Sequence, residues 1–183
     1  MLLLTKPLLF DTDCLSAFLW VDNESILVKL YPGRIVIPSQ VYHELSYPGL
    51  NHIKGLKAQV DNLVSNKQAI LESIDYGSAE YHLYFQLTQN PVSGRLRIGN
   101  GEAAAIALAC KFHGILASNN LSDISQYVQE FHLKHMTTGD IMKEAMLMGL
   151  ITECQGNVIW GNMLNRKRRL GYVSFSEFLK NNS

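Results

Sequence analysis

Along the chain, short apolar runs alternate with longer stretches in which apolar residues recur at helical spacing. Leu8, Leu9 and Phe10 are continuously apolar and end at Asp11, the pattern of a strand buried on both faces. Leu15 to Trp20 reads as a short helix, a second runs from a cap at Asn23 or Ser25 to about Leu30, and Tyr31-Pro32-Gly33-Arg34 is a turn. The β-branched run Ile35-Val36-Ile37 predicts the second strand, followed by a helix capped by Ser39 that carries Val41, Tyr42, Glu44 and Leu45. An amphipathic helix is expected over His52 to Val64, a short strand at Ala69 to Leu71, and a helix from Ser78 to about Gln89. Glu102 opens an Ala-rich helix that Gly114 stops, and Ile115 to Ala117 follow as an apolar strand. Beyond it come a helix capped by Ser122 or Asp123, a strand at His135 to Thr137, and a helix from Asp140 to Met148. A long helix is expected from Thr152 to Leu170, ended by Gly171, and Ser174 to Glu177 matches a capping box.

Strands alternating with helices predict an α/β fold: a parallel sheet with helices on both faces, whose ligands bind outside the carboxyl ends of the strands. At 183 residues and 47% hydrophobic, the chain suits a single domain with a sizeable core. Sixteen basic and sixteen acidic side chains cancel, so nucleic acid would have to be held by local patches. Cys14, Cys110 and Cys154 are odd in number and lie in apolar or helical stretches, which predicts reduced, buried thiols without a zinc site. The apolar start, Met1 to Phe10, is broken by Lys6 and Pro7 and is too short to span a membrane, so cytoplasmic residence is expected.

Four acids fall at equivalent places in this scheme. Asp11 closes the first strand, Glu44 lies one turn into the helix after the second, Glu102 opens the Ala-rich helix, and Asp123 follows the strand after it. In a parallel sheet all four face one edge. At about 5 Å and an effective dielectric near 20, each like-charged pair is unfavourable by roughly 3 kcal/mol. A hard divalent cation with oxygen ligands, Mg²⁺ or Mn²⁺, offsets that repulsion and suits phosphate chemistry. Asp13 reads equally as a further ligand or a helix cap, Asp140 as a cap, and Asp123 as a natural cap as well. Asp11 has no such structural excuse, because an unpaired buried carboxylate is costly. The run Arg166-Lys167-Arg168-Arg169 reads as a solvated helix end that complements the dipole, or more sharply as a contact to an RNA backbone. Tyr81, Tyr84 and Phe85, at helical spacing, are expected in the core.

The apolar strand into Asp11-Thr12-Asp13, Ile37-Pro38-Ser39 ahead of Glu44, Gly101-Glu102-Ala103-Ala104-Ala105, and Leu116-Ala117-Ser118-Asn119-Asn120 before Asp123 together resemble the PIN-domain family of metal-dependent ribonucleases. Order and spacing agree over about Leu8 to Thr138, the core of a chain that continues as a C-terminal helical extension over residues 139–183. The resemblance implies a three-layer α/β/α sandwich and an acidic pocket for Mg²⁺ or Mn²⁺ formed by Asp11, Glu44, Glu102, Asp123 and Asp13. It also implies hydrolysis of single-stranded RNA, with Asn119 or Asn120 orienting water or substrate. Many members have an acid where this chain has Asn119 and Asn120, which lowers the charge of the site. An antitoxin-like protein and a second copy of the chain are the candidate protein partners. Toxin status does not carry over, since the chain is longer than the small toxin members.

Two other function classes compete. Asp11-Thr12-Asp13 after a strand also resembles haloacid-dehalogenase-type phosphatases, with Ser118, Lys134 and Asp140 in supporting roles, although Cys14-Leu15 stand where that family has Gly-Thr. Asn119 and Asn120 favour a binding module that keeps the fold without the chemistry.

Overall fold

The computed structural model describes residues 6–46, 54–92, 94, 95 and 97–182. Strands β1 (Leu8–Phe10), β2 (Ile35–Pro38), β3 (Ala69–Glu72), β4 (Ile115–Ala117) and β5 (Lys134–Met136) form one all-parallel sheet in the order β3-β2-β1-β4-β5. Leu8 pairs with Ile35 on one side and Ile115 on the other, so β1 is central. The chain builds outward from β1 through β2 and β3, then restarts at β4 on the opposite side. This reversal opens a crevice at the carboxyl ends of β1 and β4, where ligands bind in such sheets.

Ten helices flank the sheet among the described residues: α1 (Thr12–Leu19), α2 (Glu24–Leu30), α3 (Ser39–Leu45), α4 (Lys54–Ser65), α5 (Ala79–Thr88), α6 (Asn100–Phe112), α7 (Leu121–Glu130), α8 (Thr138–Leu147), α9 (Glu153–Asn165) and α10 (Phe175–Asn181). The period of two along each strand assigns them to layers. Leu8, Phe10, Ile35, Ile37 and Ala117 bury against one core, with residues of α1, α2, α4, α8, α9 and α10. Leu9, Val36 and Leu116 point the other way, into a core made with α5, α6 and α7. The result is the expected α/β/α sandwich. None of the described helices is long and apolar enough to cross a membrane.

The strand expectations hold, with β5 one residue earlier than the pattern suggested, while several helix ends differ. Asp11 caps α1, which therefore begins at Thr12. Pro38 occupies the cap position of α3, so Ser39 is its first residue. Neither Asn23 nor Ser25 makes a capping bond: Asn23 holds the cap position of α2 without one. Asn120 flanks α7, placing Ser122 and Asp123 inside the first turn. Thr137 and Asp140 form a capping box at α8. The helix expected from Thr152 stops at Asn165, which leaves the basic run outside it. The expected start of α4 at residues 52 and 53 lies outside the described residues. Cys14 is buried and Cys110 half-buried, but Cys154 is exposed; all three are free. Phe85 is 47% exposed rather than in the core, because α5 covers α6 along only one face.

Close approach dictates two features of α6. Ala103, Ala104, Ala105, Ala107 and Ala109 are all fully buried, letting the helix lie against the sheet, α3 and α5 together. At its end His113, not Gly114, adopts the left-handed conformation, with φ of 49°. Gly114 is needed for space: a Cβ there would stand 2.9 Å from the Pro7 carbonyl oxygen and press into Leu9 Cδ2. The neighbours are backbone and a core side chain, so they give way poorly. Gly114→Ala should destabilise the protein by about 1–3 kcal/mol, measured by urea unfolding; an unchanged midpoint would mean that the β1–β4 junction relaxes freely.

Candidate active site

The carboxyl ends of β1 and β4 hold the candidate residues, each tied to a different element. Asp11 is fully buried. Its backbone N–H continues the ladder to the Ala117 carbonyl at 3.0 Å, and its Oδ1 accepts the Cys14 N–H at 2.7 Å. Thus the residue with no apparent structural excuse is the α1 cap, while Asp13, which by sequence reads equally as cap or ligand, sits in the first turn with its carboxylate beside Arg168 and Asn119. Oδ2 of Asp11 is buried and makes no hydrogen bond among the described residues. Burial pushes the Asp11 carboxyl up to about 7. The Ser118 hydroxyl and the Cys14 N–H favour the ionised form, without the former completing a hydrogen bond to Oδ2; Asp13 and Glu102 add repulsion.

Glu44 has both oxygens engaged. Oε1 accepts the Gly101 N–H at 2.8 Å and Oε2 accepts the Thr12 hydroxyl, so α3, α1 and the start of α6 meet at one carboxylate. A Cβ at Gly101 would lie 2.7 Å from Glu44 Oε2, so only glycine permits this approach. The exposed N–H groups of a helix start favour an anion there. Glu102 is the third residue of α6, and its Oε2 accepts the Gly99 N–H at 3.2 Å, which closes the helix start. Its Oε1 accepts from Asn120 Nδ2 at 2.8 Å. Burial raises its pKa, with Asp123 and Glu44 adding to the rise, while Asn120 and the Gly99 N–H oppose it.

Asn120 also donates to Asp123 Oδ2 at 2.7 Å, so one amide nitrogen bridges two carboxylates. Asp123 itself is exposed. Asn119 accepts the Thr138 N–H at 2.8 Å, and its Nδ2 stands 3.5 Å from Asp13 Oδ2. Arg168 reaches back to α1, where its guanidinium stands 3.3 Å from Asp13 Oδ1 and 3.1 Å from Ser16 Oγ. The basic run therefore does not present one cationic face. Arg166 lies over the Trp20 ring, Arg168 faces Asp13, and Arg169 turns to a cavity beside Glu102. His135, which sequence reasoning passed over, also lines that cavity and contacts the Ser118 carbonyl through Nε2 at 2.8 Å. Its position at a strand near the switch point was the available signal.

The phosphatase arrangement is not assembled. Lys134 pairs in register with Ile115, at the amino edge of the sheet, whereas Asp11 is at the carboxyl edge. Asp140 Oδ2 accepts both the N–H and the hydroxyl of Thr137, as a cap.

The sequence matches the PIN domain family over residues 7–182, a span that includes α9 and α10. The chain belongs to that family. No curated protein and no solved structure matches it. PIN domains are in general nucleases and typically depend on divalent metal ions. The oxygen-rich donors of this PIN domain suit a hard cation. The unsatisfied Asp11 Oδ2 is an oxygen in want of a partner, and Asp13 and Glu102 are its charged neighbours. Among the described residues, however, no three Asp, Glu, His or Cys side chains form a ready-made metal group. Asp13 faces Arg168 and Glu102 faces Asn120, so a cation requires at least one of these contacts to be exchanged.

The raised pKa of Asp11 gives a pH signature. The folded protein holds this proton up to about 7, whereas the unfolded chain releases it near 3.8. The folded state binds more protons across that window, so this group's contribution makes stability fall as pH rises through it. Asp11→Asn keeps a capping oxygen and removes the buried charge. In the absence of divalent ions it should match wild type near pH 4 and exceed it at pH 8 by up to about 4 kcal/mol, measured by urea unfolding. A less stable variant at pH 8 would show that the carboxylate is well solvated.

Proposed function

We propose that this PIN domain is a metal-dependent endoribonuclease that hydrolyses phosphodiester bonds of single-stranded RNA. The observation that carries this reading is the buried Asp11 Oδ2, without a hydrogen-bond partner among the described residues, at the switch point of a parallel sheet, with Asp13 and Glu102 as charged neighbours. Buried polar atoms are nearly always satisfied, so an orphaned carboxylate oxygen points to a ligand.

Asp11, Asp13 and Glu102 would hold Mg²⁺ or Mn²⁺. When bound, such an ion polarises a phosphoryl oxygen and activates water for in-line attack. The remaining acids support this group. Glu44 locks the start of α6 to α3 and α1, which fixes where Glu102 stands. Asp123 holds Asn120, and Asn120 in turn orients Glu102. Asn119 ties the end of β4 to α8 and limits the movement of Asp13. Carrying a reactive carboxylate on a helix start rather than a loop keeps its geometry.

A second reading, a domain that binds RNA or protein without cleaving, is favoured by Asn120 and Arg168, which already supply hydrogen-bond donors and a cation to the acids. The two readings separate in one experiment. Single-stranded RNA is incubated with Mn²⁺ and wild type, Asp11→Asn or Glu102→Gln, and the melting temperature is followed with and without Mn²⁺ at pH 8. Glu102→Gln retains an acceptor oxygen and should fold normally. Cleavage by wild type should fall by more than about 100-fold in both variants, beyond the loss typical of groups behind the ligands. Mn²⁺ should raise the wild-type melting temperature but not that of Asp11→Asn. Stabilisation by Mn²⁺ without cleavage supports the binding module, and undiminished cleavage by a folded Glu102→Gln protein rules out this site.

A further inference from the structure

The cavity beside Glu102 has a volume of about 620 Å³, within the range of small-ligand pockets. One wall belongs to the proposed catalytic edge, with Glu102, Asn120 and His135. Another wall is the C-terminal segment, with Arg169, Tyr172 and Asn182. Three features make this wall unlike ordinary surface.

Arg169 is exposed and pairs with no carboxylate among the described residues, in contrast to the adjacent Arg168. A guanidinium free of a protein partner is suited to phosphate, which it can meet with two parallel N–H groups. Tyr172 is half-buried and fixed in place from three sides. Its carbonyl accepts the Trp160 indole N–H at 3.0 Å, its hydroxyl accepts from Asn182 Nδ2 at 3.3 Å, and its ring meets Phe178 edge-on at 5.5 Å. A ring held this way offers contact area at little further loss of side-chain freedom. The whole wall is anchored by small residues below it: a Cβ at Gly139 would collide with the Phe178 ring, and one at Gly156 with the Phe175 ring. α10 is thus seated closely on α8 and α9.

We infer that this cavity seats one unpaired nucleotide of the RNA, its base against Tyr172 and its phosphate at Arg169, next to the scissile bond at Glu102. The inference rests on the nuclease reading for the position of that bond, but the seat itself is defined by the C-terminal wall. Bases within a duplex are stacked and paired, so their faces are not free to meet a side chain; unstacked bases can be splayed onto aromatic rings and guanidinium planes. His135 lines the same cavity, with its Nε2 held by the Ser118 carbonyl. Selection for single strands therefore arises from a requirement to extrude one base, rather than from reading a sequence.

The test measures binding apart from cleavage. A fluorescein-labelled single-stranded RNA octamer is titrated with wild type, Arg169→Ala, Tyr172→Leu and Tyr172→Phe in EDTA, with a labelled blunt RNA duplex as comparison; thermal melts confirm folding. The single strand should bind wild type at least about tenfold more tightly than the duplex, and Arg169→Ala and Tyr172→Leu should each weaken it about five- to tenfold, as expected for loss of a stacked base or a phosphate contact. Tyr172→Phe, which keeps the ring, should stay within about twofold. Should Tyr172→Leu not fold, the Arg169→Ala titration and the duplex comparison still decide. Unchanged affinity in folded Arg169→Ala, equal affinity for duplex, or no measurable RNA binding by wild type overturns the seat. Wild-type protein that binds through these residues yet cleaves nothing with Mn²⁺ leaves the seat standing and removes the nuclease reading; one that cleaves but binds unchanged in the variants does the reverse.

Discussion

Carboxylates gathered at the carboxyl edge of a parallel sheet repel one another, and the arrangement of this protein around β1 and β4 is organised by how that repulsion is met. Each acid is answered by at least one donor. The Cys14 N–H meets Asp11, the Gly101 N–H and the Thr12 hydroxyl meet Glu44, Asn120 bridges Glu102 and Asp123, and Arg168 meets Asp13. The contacts of Asp11 with Cys14 and of Asp123 with Asn120 close the starts of α1 and α7, whereas those of Glu44, Glu102 and Asp13 join parts of the chain that are distant in sequence. Neutralising charge and assembling the edge are consequently the same act. The C-terminal segment is held at the site partly because Asp13 draws Arg168 to α1.

Asp11 stands apart from this pattern. One of its oxygens is satisfied by the helix it caps, but the other is buried and makes no hydrogen bond among the described residues. Water cannot screen it, since the residue is fully buried. The same burial raises the Cys14 thiol well above its ordinary pKa, with Asp11 adding to the effect. Cys14 is buried near the Thr138 hydroxyl at 3.5 Å, and a raised thiol pKa disfavours the reactive thiolate. Strain from an unmet polar atom is thereby confined to one oxygen, at the switch point where a ligand would be expected to bind.

Local patterns in the sequence carried the strands and most of the helices, because burial on both faces leaves a continuous apolar run and an amphipathic helix leaves a period. They also placed Asp11, Glu44, Glu102 and the Asn119-Asn120 pair at one edge, since the carboxyl ends of parallel strands share a side. What the patterns could not carry were contacts set by long-range packing. Glu44 meets Gly101 across 57 positions and Arg168 meets Asp13 across 155. The helix expected to run to Leu170 ends early, so the cations around Arg166 to Arg169 point in different directions instead of forming a stripe. Asp11 and Asp13 are equally good caps by residue type; only the turn from β1 into α1 decides between them. Tyr172 follows a glycine and precedes a valine, with nothing local to mark it as a cavity wall.

The asparagines after β4 follow from the same electrostatics. Asn120 Nδ2 lies 2.8 Å from a Glu102 oxygen and 2.7 Å from an Asp123 oxygen. An aspartate in its place would set three carboxylates in mutual contact, each pair repelling by roughly 4 kcal/mol at about 4 Å and an effective dielectric near 20. Such a trio would persist only with a proton or a cation bound between its members. The amide instead donates to both acids and brings no third charge between them. The lost charge is thus exchanged for contacts that hold Glu102 and Asp123 in place, and Asp11 is left as the acid whose second oxygen has no donor among the described residues.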